Sequence, residues 1–182
     1  MAKKKIRLGL IGCGGNMRGA HVPRIQEDPG VDLVCVADPS EDQARALMEK
    51  WGKPLPQYAD YRRMLRENDL DAVFISSPHA VHYEQAKMAL AKGLHVLCEK
   101  PLTISSGHTK ALIALAEKNE RFLQVSYQRN YYAPHVYARE LVRTGAIGEV
   151  QAVVSYVTQN WSRVGGWRLV PELAGGGMFM DT

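Results

Sequence analysis

Cysteine, long apolar runs and clustered charge are what this sequence has least of. Cys13, Cys35 and Cys98 are the only three cysteines in 182 residues, an odd number, widely spaced and set in or beside apolar runs. That pattern excludes a disulfide framework and fits reduced thiols in the cytoplasm. No CxxC or HExxH spacing occurs and the six histidines form no ligand cluster along the chain, so no metal site is expected. The longest apolar runs have strand length, too short to span a bilayer, and none follows Met1 to Lys5 in the manner of a signal peptide. A membrane protein is therefore not expected.

The charge balance excludes a further class. Of the formal +4, Lys3, Lys4 and Lys5 supply three charges, so a short tail and not a basic face sets the balance. Nucleic-acid binding wants Lys and Arg gathered on one surface with aromatic or groove-reading elements, and nothing here is arranged so. What the chain does have is 46% hydrophobic residues, material for one full core and part of a second.

Along the chain, short apolar runs alternate with helical patterns. Ile6 to Ile11 is a strand that enters Gly12-Cys13-Gly14-Gly15-Asn16 directly, and a helix follows from about Met17 to Gln26. Val31 to Ala37 forms a second strand, closed by Asp38, and Pro39-Ser40-Glu41-Asp42 starts a helix that is acidic in its first turn. Ala72 to Ser76, Leu94 to Cys98 and Phe122 to Val125 continue the strands, with helices over Asp60 to Glu67, Val81 to Ala91 and Ser105 to Lys118. This alternation predicts an α/β fold, a Rossmann-type doubly wound parallel sheet. Beyond it, Val136 to Arg143 reads as a helix and Val150 to Trp161 as a long half-exposed strand, the start of an α+β antiparallel-sheet domain. The boundary is set at 1–127 and 128–182, the second unit being an incomplete start.

Gly12 and Gly14 supply two glycines of a dinucleotide fingerprint, one for the tight turn and one for close approach of backbone to a pyrophosphate. Gly15, Asn16 and Met17 continue that loop, with Met17 standing where the pattern wants its third small residue. Asp38, at the end of the second strand, can accept hydrogen bonds from ribose hydroxyls and would repel a 2′-phosphate, which favours NAD over NADP. Alone, the glycines read equally as a simple turn and Asp38 as a helix cap or solvated acid; together they favour the cofactor. A methyltransferase also uses a glycine-rich first turn, but with an acid just before the glycines, where this chain has Leu10-Ile11. At another strand end, Glu99, Lys100 and Pro101 put charge where ligands of open α/β sheets bind. The plain alternative for Lys100 is a surface lysine after a strand.

Gly12-Cys13-Gly14-Gly15 with His21, Val36-Ala37-Asp38, Ser77-Pro78-His79-Ala80-Val81-His82, Glu99-Lys100-Pro101 and Gly165-Gly166-Trp167-Arg168 stand in the order found in the glucose–fructose oxidoreductase, inositol dehydrogenase and rhizopine-catabolism family, which the whole chain resembles. The resemblance implies a nicotinamide-binding domain and an antiparallel-sheet domain that shapes the substrate pocket and mediates homo-oligomers. It implies hydride transfer between NAD and a carbinol carbon of a sugar or polyol. Lys100 would lie beside nicotinamide ribose and substrate and help relay the hydroxyl proton. Ser77, Pro78, His79, His82, Glu99 and Gln128 would line the cofactor, although either histidine alone is more often a satisfied structural residue. Arg129, Trp161 and Arg168 are pocket candidates on the substrate side. Gly175-Gly176-Gly177-Met178-Phe179-Met180-Asp181 resembles the segment before an Asp-x-x-x-His pair in which the histidine is the acid/base and the aspartate supports substrate binding. Asp181 is present and the chain stops at Thr182, before that histidine. The expectation is an amino-terminal portion of a dehydrogenase, weak or inactive by itself. The alternative is a non-catalytic NAD-binding sensor or partner subunit.

Overall fold

The computed structural model describes residues 4–158, 160 and 164–177. Six parallel strands form one sheet: β1 (Ile6–Ile11), β2 (Val31–Ala37), β3 (Gln57–Tyr58), β4 (Ala72–Ile75), β5 (His95–Cys98) and β6 (Leu123–Val125). Their order is β3-β2-β1-β4-β5-β6, the doubly wound arrangement in which the chain reverses direction across the sheet between β1 and β4.

Helices cover both faces, which is why the central strands are apolar at consecutive positions. Side chains alternate between two cores. Leu8, Leu10, Leu33, Val36 and Phe74 pack with Val22 of α1 (Val22–Glu27) and with Ala44 and Leu47 of α2 (Glu41–Trp51). On the opposite face Cys35, Ala37, Val73, Ile75, Val96 and Cys98 meet three helices: α3 (Tyr61–Glu67), α4 (His82–Ala91) and α5 (Ser106–Lys118). Helix α2 begins where the sequence says it should: Ser40 Oγ accepts the Gln43 N–H, Glu41 and Asp42 lie in the first turn, and Gly52 ends the helix in the left-handed region at φ 85°.

The register brings the strand ends level. Ala37 pairs with Ile11, Ile11 with Ile75, Ile75 with Cys98 and Cys98 with Val125. The hydrogen bonding then runs one residue further: Gly12 N–H to Ala37 O, Ser76 N–H to Ile11 O and Glu99 N–H to Ile75 O, each 2.8 Å. Asp38, Gly12, Ser76 and Glu99 therefore stand in a row along the carboxyl edge of the sheet.

Three features depart from the sequence reading. The first helix opens as a π-helical turn, Met17–His21, before α1. A two-residue strand, β3, borders β2. The strand expected over Val150 to Trp161 is not formed in its described part: 150–158 carries no strand, and neighbours Val153 and Val154 are 84% and 74% exposed where a half-buried strand would hide one of them. An alternating stretch becomes a strand only where a neighbouring strand accepts its N–H groups, and none pairs with it among the described residues. Trp161 itself lies outside the described residues.

By compactness the chain divides into Met1–Ser126 with Trp167–Thr182, and Tyr127–Gly166. The first unit holds the sheet, with a short helix α7 (Pro171–Ala174); the second holds α6 (Ala133–Arg143). No helix of the described residues is long and apolar enough to cross a membrane.

Candidate functional site

Outside the ends of β1, β2 and β4 lies a crevice of about 770 Å³, within the first unit. Gly12, Gly14 and Gly15 form its floor, Asp38 and Pro39 one wall, and Ser76, Ser77 and Pro78 the other. Gly12 is required there: its φ is +90°, and a Cβ would stand 2.5 Å from the Ser76 carbonyl oxygen. Gly14 and Gly15 have the opposite surroundings, with nothing within 4 Å of a Cβ, so a ligand can approach the backbone there.

Asp38 is fixed by the loop it faces. Its Oδ2 accepts the Cys13 N–H at 2.8 Å and its Oδ1 the Ser40 N–H at 2.9 Å. Each oxygen retains acceptor capacity for a hydroxyl, and the two bonds hold the carboxylate at the crevice wall. Cys13 beside it is buried, and burial with the Asp38 charge pushes its thiol up to about 12, so it is no nucleophile. Arg18 links the loop to α2 by donating to the Cys13 carbonyl at 2.7 Å and to the Gln43 side chain.

The Glu99 carboxylate is buried, with Oε1 2.7 Å from His21 Nε2 and Oε2 accepting the Lys100 N–H at 3.1 Å. Burial opposes its ionisation, yet the His21 ring, the Lys100 N–H and the Asn16 amide outweigh that and hold its pKa below the ordinary value. Lys100 follows at the β5 end, half-buried, and its bond to Pro101 is cis. His82 is fully buried in α4, its ring nitrogens 2.9 Å from the carbonyl oxygens of Pro101 and Ser77. Burial drives its pKa down; the two carbonyls pull the other way and lose. His79 is buried, its Nδ1 2.9 Å from the Ala174 carbonyl and its ring edge-on to Trp167 at 4.6 Å.

These shifts set an acid response. Both groups have depressed folded-state pKa values, so each contributes stability that is complete above its unfolded value and is lost as pH falls through the folded one. Melting temperature should therefore hold at neutral pH, decline as pH falls below the ordinary histidine range, where the unfolded chain takes up the proton that buried His82 refuses, and decline again below the ordinary carboxylate range, where unfolded Glu99 is protonated before the folded one. Calorimetry across pH checks this, and His82→Gln should erase the first decline alone.

The sequence-derived candidates fall into distinct places. Gly12, Gly14, Gly15, Asp38, Ser77 and Pro78 meet at the crevice. Asn16 is exposed on the helical run that leaves the loop, and Met17 is fully buried in the core beneath it. Gln128 and Arg129 occupy an exposed turn of the second unit. Arg168 stacks its guanidinium on Trp167 at 4.3 Å, and Asp181, like Trp161, is outside the described residues. Sequence reasoning passed over Tyr61 and Arg62, which line the crevice, and named Trp167, which also lines it, and His21 in the motif order without giving either a role. The signal for His21 was its place in the family motif order, after Gly12-Cys13-Gly14-Gly15.

Comparison with known proteins places this geometry. Residues 6–127 match the family described as oxidoreductase family, NAD-binding Rossmann fold, and residues 135–182 match the GFO/IDH/MocA C-terminal domain. Over 155 residues the chain is 33% identical to dTDP-3,4-didehydro-2,6-dideoxy-alpha-D-glucose 3-reductase of Streptomyces violaceoruber, covering 85% of this chain and 45% of that protein. It is 30% identical to D-glucoside 3-dehydrogenase of Escherichia coli, covering 100% of this chain and 52% of the relative. Among solved structures, aldose-aldose oxidoreductase from Caulobacter crescentus, complexed with glycerol, superposes with a TM-score of 0.81 at 28% identity, covering 98% of this chain and 54% of that one. The chain thus spans about half the length of the curated relatives it matches. A family match that spans the sheet, joined to a glycine turn and a strand-end acid on one crevice, establishes that the chain belongs to the GFO/IDH/MocA oxidoreductase family.

Proposed function

We propose that the chain carries the cofactor site of an NAD-dependent dehydrogenase of sugars or polyols. The observation behind this is the row of strand ends in which Asp38, Gly12, Ser76 and Glu99 stand side by side. From Asp38 to Glu99 the row crosses three strand spacings, about 14 Å, a span suited to a ligand with two riboses and a pyrophosphate.

The residues fit that ligand. Asp38 accepts hydroxyls of the adenosine ribose, and Gly14 and Gly15 let the backbone close on the pyrophosphate. Ser77 and Pro78 line the wall, and His79, His82, Asn16 and Met17 support that wall and floor from behind. When bound, NAD supplies the hydride acceptor. Lys100 would hydrogen-bond the reacting carbinol oxygen and take up its proton as one of the lysine's own passes to water, while the carbon gives up hydride to the nicotinamide. The family resemblance adds Gln128 as a cofactor residue and Arg129, Trp161, Arg168 and Asp181 as substrate residues. A reducing cytoplasm suits the three buried free thiols. Homo-oligomer assembly through the exposed apolar stretch 151–158 belongs to the same reading.

Asp38 also argues for NAD against NADP, because a 2′-phosphate would meet a fixed carboxylate. Arg45 is paired with Asp42 at 2.5 Å, and Arg62 is the crevice-lining cation that would meet such a phosphate. Fluorescence titration should show tighter binding of NADH than of NADPH. In Asp38→Asn the preference should shrink about tenfold or more, as expected when a hydrogen bond to a charged acceptor is lost. Equal affinity for the two cofactors in the unaltered protein would contradict the assignment.

A further inference from the structure

The glycine loop and the Lys100 strand end are joined by a buried polar cluster. His21, on the helical run that leaves the loop, and Glu99, after β5, are 78 positions apart in sequence and 2.7 Å apart in space. Both side chains are over nine-tenths buried. The imidazole is wedged edge-on against Phe74 of β4, with ring centroids 4.4 Å apart, so it has little freedom to turn away. Glu99 uses its other oxygen to accept the N–H of Lys100 itself. Asn16, within the loop, lies 3.3 Å from His21 Nε2 and 3.4 Å from Ser76 Oγ at the crevice wall.

We infer that His21 is a positioning residue for Lys100: acting through Glu99, it fixes the main chain from which the lysine projects and ties that placement to the cofactor loop. This rests on the reading of Lys100 as the group beside the nicotinamide. The physical argument is short. A carboxylate held away from water must keep its hydrogen-bond donors or leave. Without His21, Glu99 turns toward solvent or takes up a proton, and either change weakens its hold on the Lys100 N–H. The lysine root is then free to shift by a fraction of an ångström or more, while Asp38 and the glycines, held by separate bonds, stay in place. Only the Lys100 end of the row of strand ends loosens.

The test is competitive acetylation of the intact protein with acetic anhydride, reading Lys100 by peptide mass spectrometry with and without saturating NADH. In the unaltered protein NADH should slow Lys100 labelling about tenfold, and in His21→Leu that protection should fall below about twofold, since small misplacements at a site have large effects. The Kd for NADH should rise no more than about threefold, because the adenosine and pyrophosphate contacts remain. His21→Gln, which keeps an N–H donor near the carboxylate, should recover most of the protection. If His21→Leu fails to fold, Glu99→Ala, which removes the acceptor of the Lys100 N–H, serves in its place and should lose protection likewise. Full protection in whichever of these variants folds, or loss in His21→Gln as complete as in His21→Leu, overturns the inference. Absence of protection in the unaltered protein overturns the reading of Lys100 first, and this inference with it.

Discussion

Gly12→Ala should abolish measurable NADH binding and lower the melting temperature by about 10 °C, with two causes acting together. The position has φ +90°, where a side chain costs about 1–2 kcal/mol. The new methyl would also stand 2.5 Å from the Ser76 carbonyl oxygen and 2.8 Å from the Ser77 nitrogen, both backbone atoms that cannot rotate aside. Relief requires the ends of β1 and β4 to part, at about the 1–3 kcal/mol typical of overpacking. Because the Ser76 N–H bonds to Ile11 at that point, the crevice floor and wall separate with them. Calorimetry and an NADH titration of the same preparation check both halves. An alanine variant that binds as the unaltered protein does would refute the placement of the cofactor over this turn.

Lys100→Ala should act in the opposite manner, leaving cofactor affinity within about threefold while, in a protein that carries this chain together with a complete substrate domain, turnover of a sugar or polyol falls about 10²–10⁴-fold, the usual worth of a positioned acid–base group. The separation follows from where the residue stands. Asp38 and the glycines lie at β2 and β1, whereas Lys100 follows β5, two strands beyond β1 across the sheet. Lys100→Arg should not restore the rate, because a guanidinium does not give up its proton at working pH. Steady-state kinetics with paired NADH binding measurements decide the matter. A fall in affinity equal to the fall in turnover would recast Lys100 as a binding residue only.

Much of this was legible before the fold was seen, for identifiable reasons. A strand buried on both faces announces itself as a short apolar run, which is why Ile6–Ile11, Val31–Ala37 and Ala72–Ile75 fall where expected. Local chemistry marks the ends of α2 at Ser40 and Gly52. The residues of the sequence reading that line one crevice are those adjoining such signals: Gly12 after β1, Asp38 after β2, Ser77 and Pro78 after β4.

What escaped depends on contacts between distant segments. β3 is two residues long and exists through its pairing with Val36 and Ala37, so no periodicity reveals it. Trp167 reaches the crevice because its ring seats against His79, nearly ninety positions earlier, a partnership no local pattern encodes. His79 and His82 were assigned to the cofactor from their place in a motif, which gave no sign that their ring nitrogens bond the carbonyls of Ala174, Pro101 and Ser77. The described part of the expected Val150–Trp161 strand, 150–158, shows the reverse case. Its alternation is a real strand propensity, but a strand is a relation between two segments, and propensity alone does not supply the second.

The central claim is that a nicotinamide dinucleotide lies along the carboxyl edge of the sheet, from Asp38 across Gly12 to Lys100. A crystal structure of the protein grown with NAD tests it most directly. The account predicts adenosine ribose hydroxyls on the Asp38 carboxylate, the pyrophosphate over Gly14 and Gly15, and the nicotinamide ribose beside Lys100. A dinucleotide bound elsewhere, or an empty crevice at saturating NAD, would contradict it.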